Sequence, residues 1–106
     1  MKKYLFLALY ILISIEAFAA APTYETGWEY NNDVTIDYIY TYSNNASTQV
    51  HMNNGQFCYI NSAEKELLST ILSMRATNSV GQIVCYLTAD KQVDGKASRH
   101  IHRIKY

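Results

Sequence analysis

The chain has two cysteines, Cys58 and Cys85, and what they can do depends on where the chain is sent. Lys2-Lys3 open the sequence, an apolar run extends from Tyr4 to Ile15, and Ala17-Phe18-Ala19 follow. A basic start, an apolar core too short to span a bilayer and small residues at the cleavage point form the layout of a secretory signal peptide. Residues 1–19 are therefore expected to be removed, which leaves 20–106 as a single secreted or periplasmic domain without a membrane span. In such an oxidising compartment two cysteines most simply pair, so a Cys58–Cys85 disulfide is expected. A chain of this size has a thin core, and closing that loop contributes roughly 3 to 4 kcal/mol in the loop-entropy account. No C-x-x-C spacing is present, so the bridge reads as a structural staple and not a redox centre.

The pattern around the cysteines is β-rich. Val34 to Tyr42 is almost entirely β-branched or aromatic, and the two-residue period puts Val34, Ile36, Tyr38, Tyr40 and Tyr42 on one face. Ser43 to Ser47 has turn composition, Thr48 to Met52 reads as a second strand, and Asn53-Asn54-Gly55 is a tight-hairpin signal that returns the chain through Gln56 to Ile60. Beyond Ile60 the period lengthens. Asn61-Ser62-Ala63-Glu64 fits a helix start, and Leu67, Leu68, Ile71, Leu72 and Arg75 mark one face of about four turns. After Asn78 to Gly81, Gln82 to Thr88 reads as a buried strand, and Ser98 to Tyr106 as a last strand with a basic face. Ala20 to Asn32 reads as an irregular lead-in that could end in a short strand. The predicted fold class is β-rich α+β: a small OB-like five-stranded antiparallel barrel or sheet with one helix between strands 3 and 4. A bridge from Cys58 to Cys85 requires the strands on either side of the helix to lie within disulfide reach.

Three segments resemble the binding (B) subunits of bacterial AB5 toxins of the subtilase-cytotoxin and typhoid-toxin-like group. They are Gln56-Phe57-Cys58-Tyr59-Ile60, Glu64-Lys65-Glu66-Leu67-Leu68 and Gly81-Gln82-Ile83-Val84-Cys85-Tyr86. The resemblance implies a secreted OB-like domain that assembles as a homo-oligomer, a pentamer around its helices, beside a catalytic A subunit. It also implies binding to a glycan or glycoprotein receptor on host cells. This chain is shorter than those subunits and its second cysteine follows the helix, so no sugar-contacting residue transfers by position. The short dilysine leader fits a bacterial source; in a eukaryotic host Asn45-Ala46-Ser47 would be a glycosylation acceptor.

Eight tyrosines remain after residue 19, and a tyrosine offers an apolar ring with a polar tip, suited to lying on a sugar face. Trp28, Tyr40 and Tyr42 are the candidate ligand-binding residues. The competing reading is burial: a strand in a small domain hides one face, which draws Tyr38 and Tyr40 toward the core, whereas Trp28 in its irregular segment is expected at the surface. His100 and His102, two apart on a strand, could face one ion with His51 as a third ligand, but zinc sites need three or four protein ligands, so no metal and no cofactor is expected. The stronger reading of Arg99, His100, His102, Arg103 and Lys105 is a polar strand edge. Those His and Arg side chains with one of Glu25, Glu29, Asp33 or Asp37 have the chemistry of a small ribonuclease, yet no nucleophile elbow, phosphate loop or paired-carboxylate motif occurs, so no catalytic residue is expected.

From residue 20 onward seven Lys/Arg oppose eight Asp/Glu, a balance without the electrostatic footprint of a nucleic-acid partner. Residues 20 to 66 nevertheless carry a net minus five and 67 to 106 a net plus four, an asymmetry that would suit head-to-tail association of copies through Arg99 and Arg103. The alternative to a glycan-binding subunit is a small periplasmic inhibitor or immunity-type protein that caps one protein partner.

Overall fold

The computed structural model describes residues 21–43 and 46–106. The expected signal peptide and Asn45 of the acceptor triplet lie outside them. Among the described residues, nine strands in antiparallel sheets and one helix follow in the order β1 (Thr23–Glu25), β2 (Trp28–Val34), β3 (Ile36–Tyr42), β4 (Ser47–Met52), β5 (Phe57–Asn61), α1 (Lys65–Ala76), β6 (Gly81–Tyr86), β7 (Lys91–Val93), β8 (Lys96–Ser98) and β9 (Ile101–Lys105). One sheet has the order β1-β2-β6-β9, a second β3-β4-β5, and β7-β8 is a separate hairpin. No described helix is long and apolar enough to cross a membrane.

The lead-in is more regular than its composition implies. Residues that read as irregular form β1 and β2, and β2 runs almost without interruption into β3, passing from the first sheet to the second at Thr35. The last predicted strand is divided into β8 and β9, because Arg99 and His100 turn aside to β5: the Tyr59 amide donates to the Arg99 carbonyl at 2.9 Å, and Tyr59 and His100 form a parallel bridge. The Asn53-Asn54-Gly55 signal holds. Gly55 takes a φ of +85°, the left-handed region open to glycine, and its amide donates to the Met52 carbonyl at 3.1 Å.

The core lies between the sheets and under α1. Val34, Ile36, Val50, Met52, Cys58, Ile60, Ile83, Cys85 and Ile101 meet Ile71 and Met74 of the helix. Ile71 and Met74 are the buried residues of the helix with Leu67 and Leu68 half-buried beside them, so the expected stripe is rotated: Leu72 is 48% exposed and Arg75 is exposed. Met74 wins the inner position because it lies three residues beyond Ile71 on the face Leu67 starts, and its unbranched chain fills an irregular gap. The helix begins at Lys65, one turn later than Asn61-Ser62 promised, yet Glu64 still reaches back to accept the Asn61 amide at 2.9 Å.

Cys58 and Cys85 form the expected disulfide, with Cα atoms 6.6 Å apart, and it joins the central part of β5 to β6 across the two sheets. Three register shifts set which side chains face inward: between Asn31 and Val34 of β2, between Ile36 and Tyr38 of β3, and opposite the Val84–Cys85 step of β6, where β9 holds one extra residue, His102. The shift in β3 corrects the strand-face expectation. Ile36 pairs with Met52 and Tyr38 with the adjacent His51, so Asp37 has no partner and the alternation is reset. Val34 and Ile36 stay in the core, while Tyr38, Tyr40 and Tyr42 are delivered to the opposite, outer face.

Candidate functional site

Tyr38, Tyr40 and Tyr42 pair across β3 and β4 with His51, Gln49 and Ser47. Because β3 has lost its inward phase at Asp37, their rings stand on the outer face: Tyr38 is 42% and Tyr40 50% exposed, contrary to the expected burial. Tyr38 stacks on His51 with centroids 4.4 Å apart, His51 on Phe57 at 5.2 Å, and Tyr40 lies 5.2 Å from Tyr38 and 6.1 Å from Tyr42. The result is a continuous row of five rings, Tyr42-Tyr40-Tyr38-His51-Phe57, three from β3 and one each from β4 and β5.

Polar groups border the row. His51 Nε2 and Gln49 Oε1 are 2.5 Å apart, and the Gln49 amide nitrogen, fully buried beside the row, has no protein partner. Such a donor is normally satisfied by water or a ligand oxygen. Burial and the nearby Lys96 push the His51 imidazole below its usual range, keeping it neutral at pH 7, while Asp37 opposes them. The β7-β8 hairpin closes the far side of this face. Lys91 Nζ donates to Ser47 Oγ at 2.6 Å and to Asn61 Oδ1 at 3.1 Å, and Tyr42 Oη donates to Asp94 at 3.3 Å. Burial and the Asp94 carboxylate raise the Tyr42 phenol above its usual value, so this hydroxyl keeps its proton and remains a donor.

Trp28 occupies a different place. It sits on β2, not in an irregular segment, on the half-exposed outer face of the first sheet, where its ring contacts are Tyr86 at 5.0 Å and His102 at 4.1 Å. The structure thus brings Tyr40 and Tyr42 together and gives Trp28 other company. Beside Tyr86 the surface forms an open depression of about 500 Å³, lined by Gly27, Tyr86, Leu87, Thr88, Asp90 and His100.

The two candidate histidine ligands are separately engaged. His100 Nε2 lies 2.5 Å from Glu64 Oε1 and its ring stacks on Tyr59, while His102 packs at a tilt against Trp28 with its Nδ1 3.3 Å from the Tyr86 hydroxyl. His51 is on the other sheet, between Tyr38 and Phe57. Among the described residues the one group of three His, Cys, Asp or Glu side chains close enough to share an ion is Glu29, Cys58 and Cys85, and both of its sulfurs are in the disulfide.

Arg99 does not belong to a solvated edge. Its guanidinium forms an ion pair with Glu29, which is 1% exposed, and donates to Gln56 Oε1 and the Phe57 carbonyl at 3.2 Å each. Glu29 Oε1 also accepts from Asn31 Nδ2 at 2.9 Å, and Asn31 Oδ1 accepts from Asn54 at 2.9 Å. Arg99 is therefore committed to partners inside the fold, and Arg103 and Lys105 are the exposed bases of β9. Sequence reasoning missed Tyr86, Asp90, Thr88 and Phe57. Gln82 to Thr88 reads as a buried strand, which hid Tyr86; the strand ends at Tyr86, and Leu87, Thr88 and Asp90 lie exposed in the connection that follows.

No protein family, curated protein or solved structure matched this chain.

Proposed function

We propose that this chain is an exported binding domain of OB-like architecture that recognises cell-surface glycans as the binding subunit of a toxin-type oligomer, beside a separate catalytic subunit. The observation that carries the reading is the outward row of tyrosines. A domain of this size has few large side chains for its core, and this one turns Tyr38 and Tyr40 to solvent, with Tyr42 half-buried beside them, by a bulge in the strand that bears them. Exposed rings with hydroxyl tips and a neutral imidazole alongside form a surface matched to a solute with an apolar ring face and a rim of hydroxyls.

The OB-like reading is supported by the circuit of strand neighbours. The β2–β3 segment pairs with β6 through its first half and with β4 through its second, β4 pairs with β5, β5 meets the approach to β9 through the parallel Tyr59–His100 bridge, and β9 pairs with β6. Counting β2–β3 as one bent strand gives five strands with the helix between the third and fourth, the order of an OB barrel.

The test is a glycan array with the oxidised protein, repeated with Tyr40→Ala and Tyr42→Ala, together with the mass of the protein in solution by light scattering at several concentrations. Each ring removed should weaken a positive glycan by about three- to tenfold, and the mass should be that of a pentamer. An array without hits removes the glycan reading. A clean monomer removes the ring and brings the inhibitor-type alternative forward.

A further inference from the structure

We propose that the depression beside Trp28 and Tyr86 is a second saccharide site, separate from the tyrosine row, and that it takes a neutral pyranose and rejects an anionic one. The depression is formed where the β1-β2 turn meets the chain leaving β6: Gly27 and Leu87 are joined by a 3.2 Å hydrogen bond from the Leu87 amide to the Gly27 carbonyl. Gly27 has a φ of +81° and no side chain, and nothing lies within 4 Å of where a Cβ would be, so the turn leaves the opening clear. Its volume, about 500 Å³, is within the size of small-molecule sites.

The lining has the two properties a pyranose asks for. Tyr86, 39% exposed, and Leu87, 39% exposed, give apolar surface, and Tyr86 is backed by the Trp28 ring at 5.0 Å. Around them stand groups of both hydrogen-bonding senses: the exposed Thr88 hydroxyl, the Asp90 carboxylate and the His100 imidazole. Asp90 is fixed by the Tyr59 hydroxyl, which donates to Oδ1 at 2.7 Å, and its second oxygen has no protein donor among the described residues. That Tyr59 proton is held tightly, because burial and Asp90 drive the phenol far above its ordinary value. His100 is fixed from the other side by Glu64.

The charge of the rim decides the class of sugar. Asp90 lines the depression, Glu64 stands behind His100, and no Lys or Arg lines it. Lys91, the nearest cation in sequence, is turned to Ser47, Asn61 and the Tyr59 ring. A carboxylate on the ligand would meet Asp90 without a compensating cation, whereas sugar hydroxyls can donate to it in a charge-assisted bond.

Trp28 is the only tryptophan in the chain, so this site has its own optical reporter and the tyrosine row does not. The experiment titrates the oxidised full-length secreted protein with the methyl glycosides of galactose, glucose and mannose, and with the methyl glycoside of N-acetylneuraminic acid, following Trp28 emission. The expected result is a saturable change with at least one neutral glycoside and none with the sialoside. Asp90→Asn and, independently, Thr88→Val should weaken that titration about tenfold, with backbone amide shifts confined to residues 86–90 and 27–28, while Tyr40→Ala leaves it unchanged. No saturable change with any neutral glycoside overturns the proposal, as does equal response to the sialoside, or binding that survives both Asp90→Asn and Thr88→Val. Because Tyr40→Ala tests the row alone, loss of array binding with an intact Trp28 titration separates the two sites.

Discussion

Replacing Arg99 with Met should cost this domain a large part of its stability, and the cause is the residue it leaves behind. Glu29 is 1% exposed, on the inner row of β2 and close to the Cys58–Cys85 sulfurs. Without Arg99 its carboxylate retains one donor, the Asn31 amide at 2.9 Å, in a site that water does not reach. Breaking a buried ion pair from one side costs about 3 to 5 kcal/mol. Domains of this size lie near the lower end of the usual range of about 5 to 15 kcal/mol, so Arg99→Met should remove half or more of the total. Glu29→Gln should cost less, about 1 to 3 kcal/mol, because Arg99 keeps the Gln56 and Phe57 acceptors and its side chain is 19% exposed. Glu29→Leu combined with Arg99→Met removes both charges and should be less harmful than Arg99→Met alone, a coupling of about 2 to 4 kcal/mol. Urea unfolding of the oxidised protein, followed by Trp28 emission, measures all of these, with the slopes compared to confirm that only stability has changed. A cost below about 1 kcal/mol for Arg99→Met, or a double variant no better than that single, would show that Glu29 is solvated and the pairing argument wrong.

Three further outcomes follow from the same geometry. The Cys58→Ala/Cys85→Ala variant opens a loop spanning 27 residues and should lose about 3 to 4 kcal/mol in urea unfolding; an unchanged midpoint would deny the disulfide its stapling role. Burial pushes the Glu64 carboxyl up, but the Asn61 amide and His100 outweigh it and hold it below 4.5, so its stabilising contribution is present above pH 4.5 and is lost as pH falls through the folded value. Glu64→Gln should therefore be less stable than the parent at pH 7, with the gap closing below pH 4.5, and a gap independent of pH refutes the assignment. Gly81→Ala would bring a Cβ to 2.5 Å from the Lys105 carbonyl oxygen, forcing β9 away from β6; a loss of about 1 to 3 kcal/mol in thermal unfolding is expected, and an unchanged melting temperature would show that the end of β9 yields freely.

Much of the scaffold was legible because local chemistry and tertiary demand agree there. Asn53-Asn54-Gly55 needs a positive φ and has the residue for it, the two cysteines had one partner each, and Ile83, Val84 and Cys85 of β6 are buried in succession because both faces of this central strand are covered, although it ends at Tyr86 and not at Thr88. β2 was hidden for the opposite reason. Its inward positions are Glu29 and Asn31, which an apolar pattern search reads as solvent-facing, and their partners Arg99, Ile83 and Asn54 are remote in sequence. Arg99 was misread as an edge residue by the same blindness: a buried ion pair looks like two surface residues until the fold joins them.

The site was obscured by a single unpaired residue. The alternation from Val34 to Tyr42 is regular in sequence, and by period alone all five residues belong to one face. Whether the phase survives depends on β4, because a bulge is a property of the ladder and not of one strand: Asp37 is extra only relative to the adjacent residues Met52 and His51. The same holds in β9, where His102 is extra relative to the adjacent pair Val84 and Cys85, and is thereby left beside Trp28 and Tyr86. In both strands the core row stays apolar on each side of the bulge, as Ile36 and Ile39 in β3 and Ile101 and Ile104 in β9. The bulges therefore leave the packing intact while changing which rings reach the surface: the tyrosine row of β3 at one, and His102 beside Trp28 and Tyr86 at the other.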